Sequence, residues 1–333
     1  MLSPIALLCP QCAAPLPRAA RWRTVECSYC GATLMRGEET VRRADFRAAW
    51  QRAQAVPAGG GRLLEWRGAR YTVRVTLGQG EHSEVLLAER LGPLPERVTL
   101  KLARGGASRG MLAREHEVLQ ALQALQGPGT AYFTRRLPQP IGTGLAQGLA
   151  DGARDALLLR HPPGYWGSLA DVARARPEGI DPRHAVWLWR RMLEVLGFVH
   201  AHGWSHGDLS PAHALVHPRD HGVLLIGWGQ ARHATGAAHA TRAARDLRQA
   251  AWVVRAVLHG GRDTGTPGVG QHTPAPLADL LRQCSEDAGT APPQQDAAAA
   301  EAALSAAARA AFGAPQFVLF DPDSDPDPAP AGA

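Results

Sequence analysis

The sequence has almost no lysine. Of its 36 basic residues, 35 are arginine, and Lys101 is the exception. A guanidinium is a planar fork and an ammonium a compact point charge, so a site that needs the point charge resists replacement by arginine. One leftover lysine must stand somewhere, but the motif around this one, given below, makes chance a poor account. Long apolar runs are missing too. The best candidate, Ala250 to Leu258, is short and broken by Arg255, which excludes a membrane-spanning helix there. The apolar start, Leu2 to Leu8, has no basic flank and runs straight into cysteines. It does not read as a secretory signal, and a cytoplasmic location with no membrane partner is expected. Internal repeats are also absent.

Cysteine is scarce, at five in 333 residues, but four of the five are paired in sequence. Cys9-Pro10-Gln11-Cys12 and Cys27-Ser28-Tyr29-Cys30 are two C-x-x-C knuckles with 14 residues between them. Two residues between thiols let both reach one ion, and two knuckles complete a tetrahedral sulfur shell. So short a segment cannot bury enough core to fold without the metal. Structural zinc on Cys9, Cys12, Cys27 and Cys30 is expected, although the spacing alone also suits an iron centre. The remaining cysteine, Cys284, reads as a small buried apolar residue.

The formal charge is +6, and residues 1–56 supply +4 of it with eight arginines against four acids. Four metal-bound thiolates around a dication would remove two units there. The rest suits nucleic acid, but an ordinary solvated arginine-rich surface explains it better. The ribbon's contact is therefore open between nucleic acid, a protein partner and the chain's own main domain.

Composition divides the chain into a zinc ribbon over 1–40, a helical linker over 41–61, a large domain over 62–313 and an acidic, proline-rich tail over 314–333. In the linker, Phe46, Trp50 and Ala53 fall at helical spacing before Pro57-Ala58-Gly59-Gly60-Gly61. The tail ends in DPDSDPDPAPAGA and is expected to be disordered. Within the large domain, Tyr71–Leu77, Glu84–Arg90 and Arg97–Leu102 read as strands and Met111–Gln126 as a helix. From Gly164 the pattern is mainly helical, with a long helix over Pro182–His202 and a closing one over Asp296–Phe312. A small β-rich lobe before a larger helical lobe makes the fold class α+β.

Leu77-Gly78-Gln79-Gly80-Glu81-His82-Ser83-Glu84-Val85 is a glycine-rich turn between two strands, where backbone N–H groups can approach phosphate. Val98-Thr99-Leu100-Lys101 ends a strand on the sole lysine, and Arg114-Glu115-His116-Glu117-Val118-Leu119 places Glu115 on the next helix. Such a lysine and glutamate can pair and hold the ammonium over a nucleotide. Further on stand Leu157-Leu158-Leu159-Arg160-His161-Pro162-Pro163-Gly164, His206-Gly207-Asp208-Leu209-Ser210-Pro211-Ala212-His213, Leu224-Leu225-Ile226-Gly227-Trp228-Gly229, and Asp246 with its apolar run to Gly260. In this order the motifs, over about residues 70–310, resemble the eukaryotic-type protein kinase family. The resemblance implies a two-lobed kinase-like fold, ATP contacts from Gly78, Gly80, Ser83, Val85, Lys101 and Glu115, a catalytic base at Asp208, and magnesium ligands at 213 and 227. Leu119, His206 and Trp228 stand where the family stacks an apolar spine.

The departures from the family bear on chemistry. The metal-holding Asp of the family is Gly227 here, and its metal-holding Asn is His213. Magnesium is a hard ion that wants oxygen, and imidazole suits softer metals, so magnesium is not expected. Ser210 replaces a lysine that steadies phosphate in serine/threonine kinases. No Ala-Pro-Glu lies between Gly227 and Asp246, and His233–His239 reads as a plain connection in place of a peptide platform. Asp208 remains, but a base without metal ligands is a poor phosphotransferase.

These residues point to a pseudokinase with a zinc ribbon, acting as a regulatory or scaffolding module for a protein partner, with ATP as its candidate ligand. Two rivals stay open. One is an active phosphotransferase, either a serine/threonine kinase or, from His-Gly-Asp-Leu and Trp228, one similar to aminoglycoside and choline kinases. The other is a nucleic-acid-binding protein led by the ribbon. The Ala-, Arg- and Gly-rich composition resembles that of a high-GC bacterium.

Overall fold

The structure, a computed structural model, describes residues 24–27, 29, 33–35, 62–80, 82–92, 95–105, 109–149, 152–260, 268–286 and 296–323. Cys9, Cys12, Cys30, the linker helix and residues 324–333 lie outside the described residues. At the N-terminal end, β1 (Thr24–Glu26) and β2 (Thr33–Met35) pair as an antiparallel hairpin. Cys27, directly after β1, is 1% exposed. The second cysteine knuckle thus begins where this hairpin turns.

The described residues divide into two compact units, those within 1–116 and 140–161 in one and those within 117–139 and 162–323 in the other. The first contains β3 (Leu63–Trp66), β4 (Ala69–Gln79), β5 (Ser83–Arg90), β6 (Glu96–Ala103), β7 (Pro140–Gln147) and β8 (Arg154–Arg160). These close into a barrel in the order β3-β4-β5-β6-β8-β7. Helix α1 (Arg109–Gln123) follows β6. Three of the six strands match the sequence reading closely, because β4, β5 and β6 carry clear apolar periodicity. In β6, Val98, Leu100 and Leu102 point into the core, at 2% exposure or less, while Arg97, Thr99 and Lys101 take the other face.

The sequence reading missed β3, β7 and β8, and β3 is the one whose pairing with β7 closes the barrel. It is four residues long and follows a glycine run, so it shows too little periodicity to be recognised. Two local features place it. Arg67 and Gly68, with φ of 49° and 74°, form the tight turn into β4, the left-handed pair that matches strand twist in a two-residue hairpin. On its other side β3 pairs with β7, Trp66 opposite Ala146. Gly142 and Gly144 of β7 leave room for the Trp66 indole, whose atoms lie only 3.3 Å and 3.1 Å from where a Cβ would stand. Trp66 and eleven other buried residues, among them Leu64, Leu100 and Leu158, fill the barrel.

The second unit is built on helices. After α2 (Thr130–Phe133), the short β9 (Gly167–Ser168) leads into α3 (Leu169–Ala175), then α4 (Pro182–Ala201), α5 (Gly236–His259), α6 (Ala275–Ser285) and α7 (Ala297–Phe312). Their starts are chemically explicit. Ser168 and Asp171 form a capping box on α3. Asp181 caps α4 with Pro182 at its first turn, and the Asp296 side chain accepts from Ala299 N at the start of α7. Helix α4 is the hub, burying Leu188, Trp189, Met192, Leu193, Val195, Leu196 and Val199 at no more than 1% exposure. Between α4 and α5 lie β10 (Trp204–Ser205), β11 (Ala214–His217), β12 (Gly222–Leu225) and β13 (Arg232–His233). β11 and β12 pair as a hairpin that also takes β9, and β10 pairs with β13. Among the described residues no helix is long and apolar enough to cross a membrane.

Two expectations about connections change. The stretch 233–239, read as a plain connection, begins on the last residue of β13 and takes in the first turn of α5, a helix of 24 residues that runs from Gly236 past Asp246 to His259. In the tail, expected to be disordered from 314, Phe317 and Phe320 pack against the helical unit. Phe320 is 4% exposed, held by aromatic contacts that the acidic, proline-rich sequence conceals.

Candidate functional site

In the barrel unit, register brings the expected nucleotide residues onto one face. Val85 of β5 stands opposite Lys101 of β6, and Lys101 opposite Leu157 of β8, so all three share a side of the sheet. Lys101 Nζ lies 2.5 Å from Glu115 Oε2 of α1, with the two side chains 15% and 5% exposed. The ion pair expected from the motif is therefore formed within this unit. On the same face Thr99 Oγ1 and His161 Nδ1 are 3.0 Å apart, a contact the sequence reading did not anticipate. Burial, with Arg97 nearby, lowers the His161 pKa. The Thr99–His161 contact joins residues 62 apart in sequence, and no local pattern signals it.

The glycine-rich turn is tighter than its motif suggests. Gly78 and Gln79 remain in the β4–β5 ladder, opposite Val85 and Glu84. The Gly80 N–H donates to Ser83 O at 2.8 Å, which spends it inside the turn. Arg104 then ties the turn down. Its guanidinium donates to Gly80 O at 3.0 Å and its own N–H to His82 O at 3.0 Å. Arg154 adds an ion pair to Glu84 at 3.0 Å. The charge brought near this turn comes from arginine side chains, while the Gly80 amide is already used.

In the helical unit, the loop at 206–213 is braced from below by Asp246 of α5, which is 0% exposed. Its carboxylate accepts from His206 N at 2.7 Å and Gly207 N at 2.8 Å, and sits 3.0 Å from His200 Nε2 of α4. Gln249, one turn further along α5, accepts from Leu209 N at 3.1 Å. The His206 ring packs tilted against Trp228, centroids 4.5 Å apart, and its Nε2 reaches Ile226 O at 2.9 Å. Burial, against the pull of Asp246, lowers the His206 pKa. The Trp228 indole donates to Leu225 O at 2.8 Å.

Positions 213 and 227, where the kinase resemblance expects metal ligands, lie against each other. Gly227 takes a left-handed conformation, φ 82° and ψ 40°. A Cβ built on it would lie 2.7 Å from His213 Cδ2, 2.8 Å from Nε2 and 2.9 Å from Cγ. The His213 imidazole thus lies across the space a side chain at 227 would enter. It is fixed there by Nδ1, 2.5 Å from Asp208 O, and by its own carbonyl, which accepts from Ile226 N at 2.9 Å. Asp208 keeps a half-exposed carboxylate, 3.7 Å from His213 Nδ1. Magnesium, which the kinase fold implies, does not fit these residues. Position 227 offers no oxygen, and the ring at 213 offers nitrogen with its Nδ1 already engaged. Asp220, a carboxylate that could in principle substitute, lies in the β11–β12 turn beside His217 and Arg219. Burial pushes the Cys284 thiol up to about 12, as suits an inert side chain.

No protein-family model matches the chain, and neither does any curated protein. Among solved structures it is similar to the crystal structure of the BubR1 kinase domain, with a TM-score of 0.52 and 14% identity. The match covers 80% of this chain and 91% of that one. At that identity the likeness shows the fold alone: a kinase-like fold, with a β-barrel unit and a helical unit. A closed barrel is an unusual form of the kinase small lobe, and β3 accounts for it.

Proposed function

We propose that the chain is a pseudokinase, a kinase-like module that does not transfer phosphate and serves as a regulatory or scaffolding module for a protein partner. The observation that supports this best is the packing of His213 onto Gly227. Two replaced metal-ligand positions that interlock sterically form a settled local structure, and restoring one alone would clash. Phosphoryl transfer depends on charge placed around the transferring group, and loss of one preorganised contact typically costs roughly a hundredfold or more in rate. Here two are replaced, and Ser210 stands in place of a cation.

The Lys101–Glu115 pair supports a retained role for nucleotide. In this reading ATP binds through Lys101 with no need for magnesium, and the four N-terminal cysteines hold one structural zinc in a cytoplasmic protein. Radiolabelled ATP with magnesium or manganese tests the first point, using the protein itself and a generic protein as acceptors. No turnover above background is expected. Robust turnover that disappears in Asp208→Ala overturns the proposal. One observation favours a specific rival in that event. Helix α5 begins at Gly236, so only residues 228–235 separate it from Gly227, and a small-molecule acceptor needs no peptide platform there.

A further inference from the structure

The helical unit carries an aromatic cleft that the pseudokinase reading does not use. Its floor is a stack. The Trp187 ring lies parallel to His221 at 4.2 Å and 7°, and Phe317 of the tail covers the imidazole at 4.2 Å and 22°. Beside it Phe320 enters against His184, with centroids 4.8 Å apart, and against Trp187 at 5.6 Å. The floor is fixed by the unit itself, since the Trp187 indole donates to His184 Nδ1 at 3.2 Å. At the rim, Arg176 donates to Asp321 O at 2.7 Å and the Trp166 indole to the Asp323 carboxylate at 2.9 Å.

The occupant is held as a bound peptide is held. Residues 315–321 adopt neither helix nor strand, and Leu319 between the two phenylalanines is 71% exposed. Phe317 and Phe320 are three apart, the period of a polyproline-II segment, which turns both rings to one side. Two aromatic anchors, with an arginine bonded to the peptide backbone and an indole bonded to a carboxylate, are a recurring way to recognise an extended peptide.

We propose that this cleft, formed by Trp166, Arg176, His184, Trp187 and His221, is a docking site for extended peptides with two phenylalanines three residues apart followed by aspartates. The chain's own tail is its occupant in cis. A tethered occupant acts at a high effective concentration, so a peptide in trans must compete with it. The inference does not depend on the pseudokinase reading.

The test uses the full chain carrying Phe317→Ser and Phe320→Ser, which empties the cleft, and a fluorescein-labelled peptide of residues 314–323. The emptied chain should bind the peptide saturably, the unaltered chain at least tenfold more weakly, and the emptied chain with Arg176→Glu at least tenfold more weakly again. Equal binding by emptied and unaltered chains, or no binding by a folded emptied chain, overturns the proposal. Hydrogen exchange on the unaltered chain decides it even where the double variant fails to fold. Amides of 317–321 should exchange well before those of α7, and exchange only together with α7 would mean that the tail is core.

Discussion

Replacing Gly227 by aspartate would install the residue that the kinase resemblance expects there, and the structure says that it should damage the protein. The new Cβ would stand 2.7 Å from His213 Cδ2, where carbon atoms prefer about 3.5–4.0 Å. The ring cannot swing away freely, because Nδ1 is held by Asp208 O. Breaking that hydrogen bond costs about 1 kcal/mol. A side chain at φ 82° adds about 1–2 kcal/mol, at the lower end for aspartate. Gly227→Asp should therefore destabilise the protein by about 2–3 kcal/mol. Adding His213→Asn removes the ring and should leave about 1 kcal/mol of backbone strain, so the two changes together cost less than their sum. Urea unfolding of the four proteins, followed by the fluorescence of the buried Trp228 region, gives the coupling from midpoints and slopes. A coupling below about 0.5 kcal/mol, or a Gly227→Asp protein as stable as the parent, would refute the interlock. The same double variant carries both of the family's oxygen ligands, so magnesium should raise its ATP-induced stabilisation while leaving the parent's unchanged.

Lys101→Ala strands the buried Glu115 and should lower stability by about 2–4 kcal/mol, and it should also abolish the ATP-induced rise in melting temperature measured from its own baseline. If that rise survives, or needs magnesium in the parent, the pocket assignment fails. The pH dependence has a definite sign. Burial, outweighing the opposing pull of Asp181, pushes His184 down to about 4; burial, with His184 beside it, pushes His221 down to about 3. The unfolded chain therefore takes up protons first, and stability present above pH 6.5 is lost as pH falls toward 4, by about 1.4 kcal/mol per pH unit for each histidine. Urea midpoints at pH 7, 6 and 5 should fall in that order, and a flat profile would remove both histidines from the neutral core. Elemental analysis should find one zinc per chain, reduced to near zero by Cys9→Ser with Cys27→Ser; a metal-free chain whose first 35 residues are well ordered would exclude the ribbon.

Periodic elements were legible in sequence, and contacts between distant residues were not. β4, β5 and β6 repeat every second residue, and α4 announces itself with Asp181-Pro182 and an apolar face. β3 is too short to show a period, and its place depends on Gly142 and Gly144, which lie more than seventy residues away. The start of α5 was hidden because its first turns are Ala, His, Thr and Arg, which also suit a solvated loop. The site shows the same division. Lys101 and Glu115 could be named from their motifs, and they pair. Replacement of asparagine at 213 was visible, but the chain contains no asparagine anywhere, so composition alone could explain it. The ring lying where a Cβ of residue 227 would stand argues otherwise, because it makes positions 213 and 227 depend on each other.

That dependence also decides how much weight the other residues that carry the kinase resemblance should have. Asp246 is fully buried, and its two carboxylate oxygens satisfy two backbone N–H groups of the 206–213 loop while His200 lies against one of them. Removing it would leave those groups without partners in the core, at a cost of about 1–3 kcal/mol for each. The loop's shape thus needs Asp246 whether or not the loop does chemistry, and the fold explains its presence. Lys101 is different. A lysine–glutamate pair in a barrel wall could be replaced by arginine–glutamate with little loss if its task were only to hold the helix, and arginine is what this chain uses at every other basic position. The replacement Lys101→Arg separates the two tasks. Stability within about 1 kcal/mol of the parent, with the ATP response gone, is the expected result and marks the ammonium as a ligand-binding charge. An ATP response that survives in Lys101→Arg would reduce the lysine to a structural remnant and leave the chain without a nucleotide site.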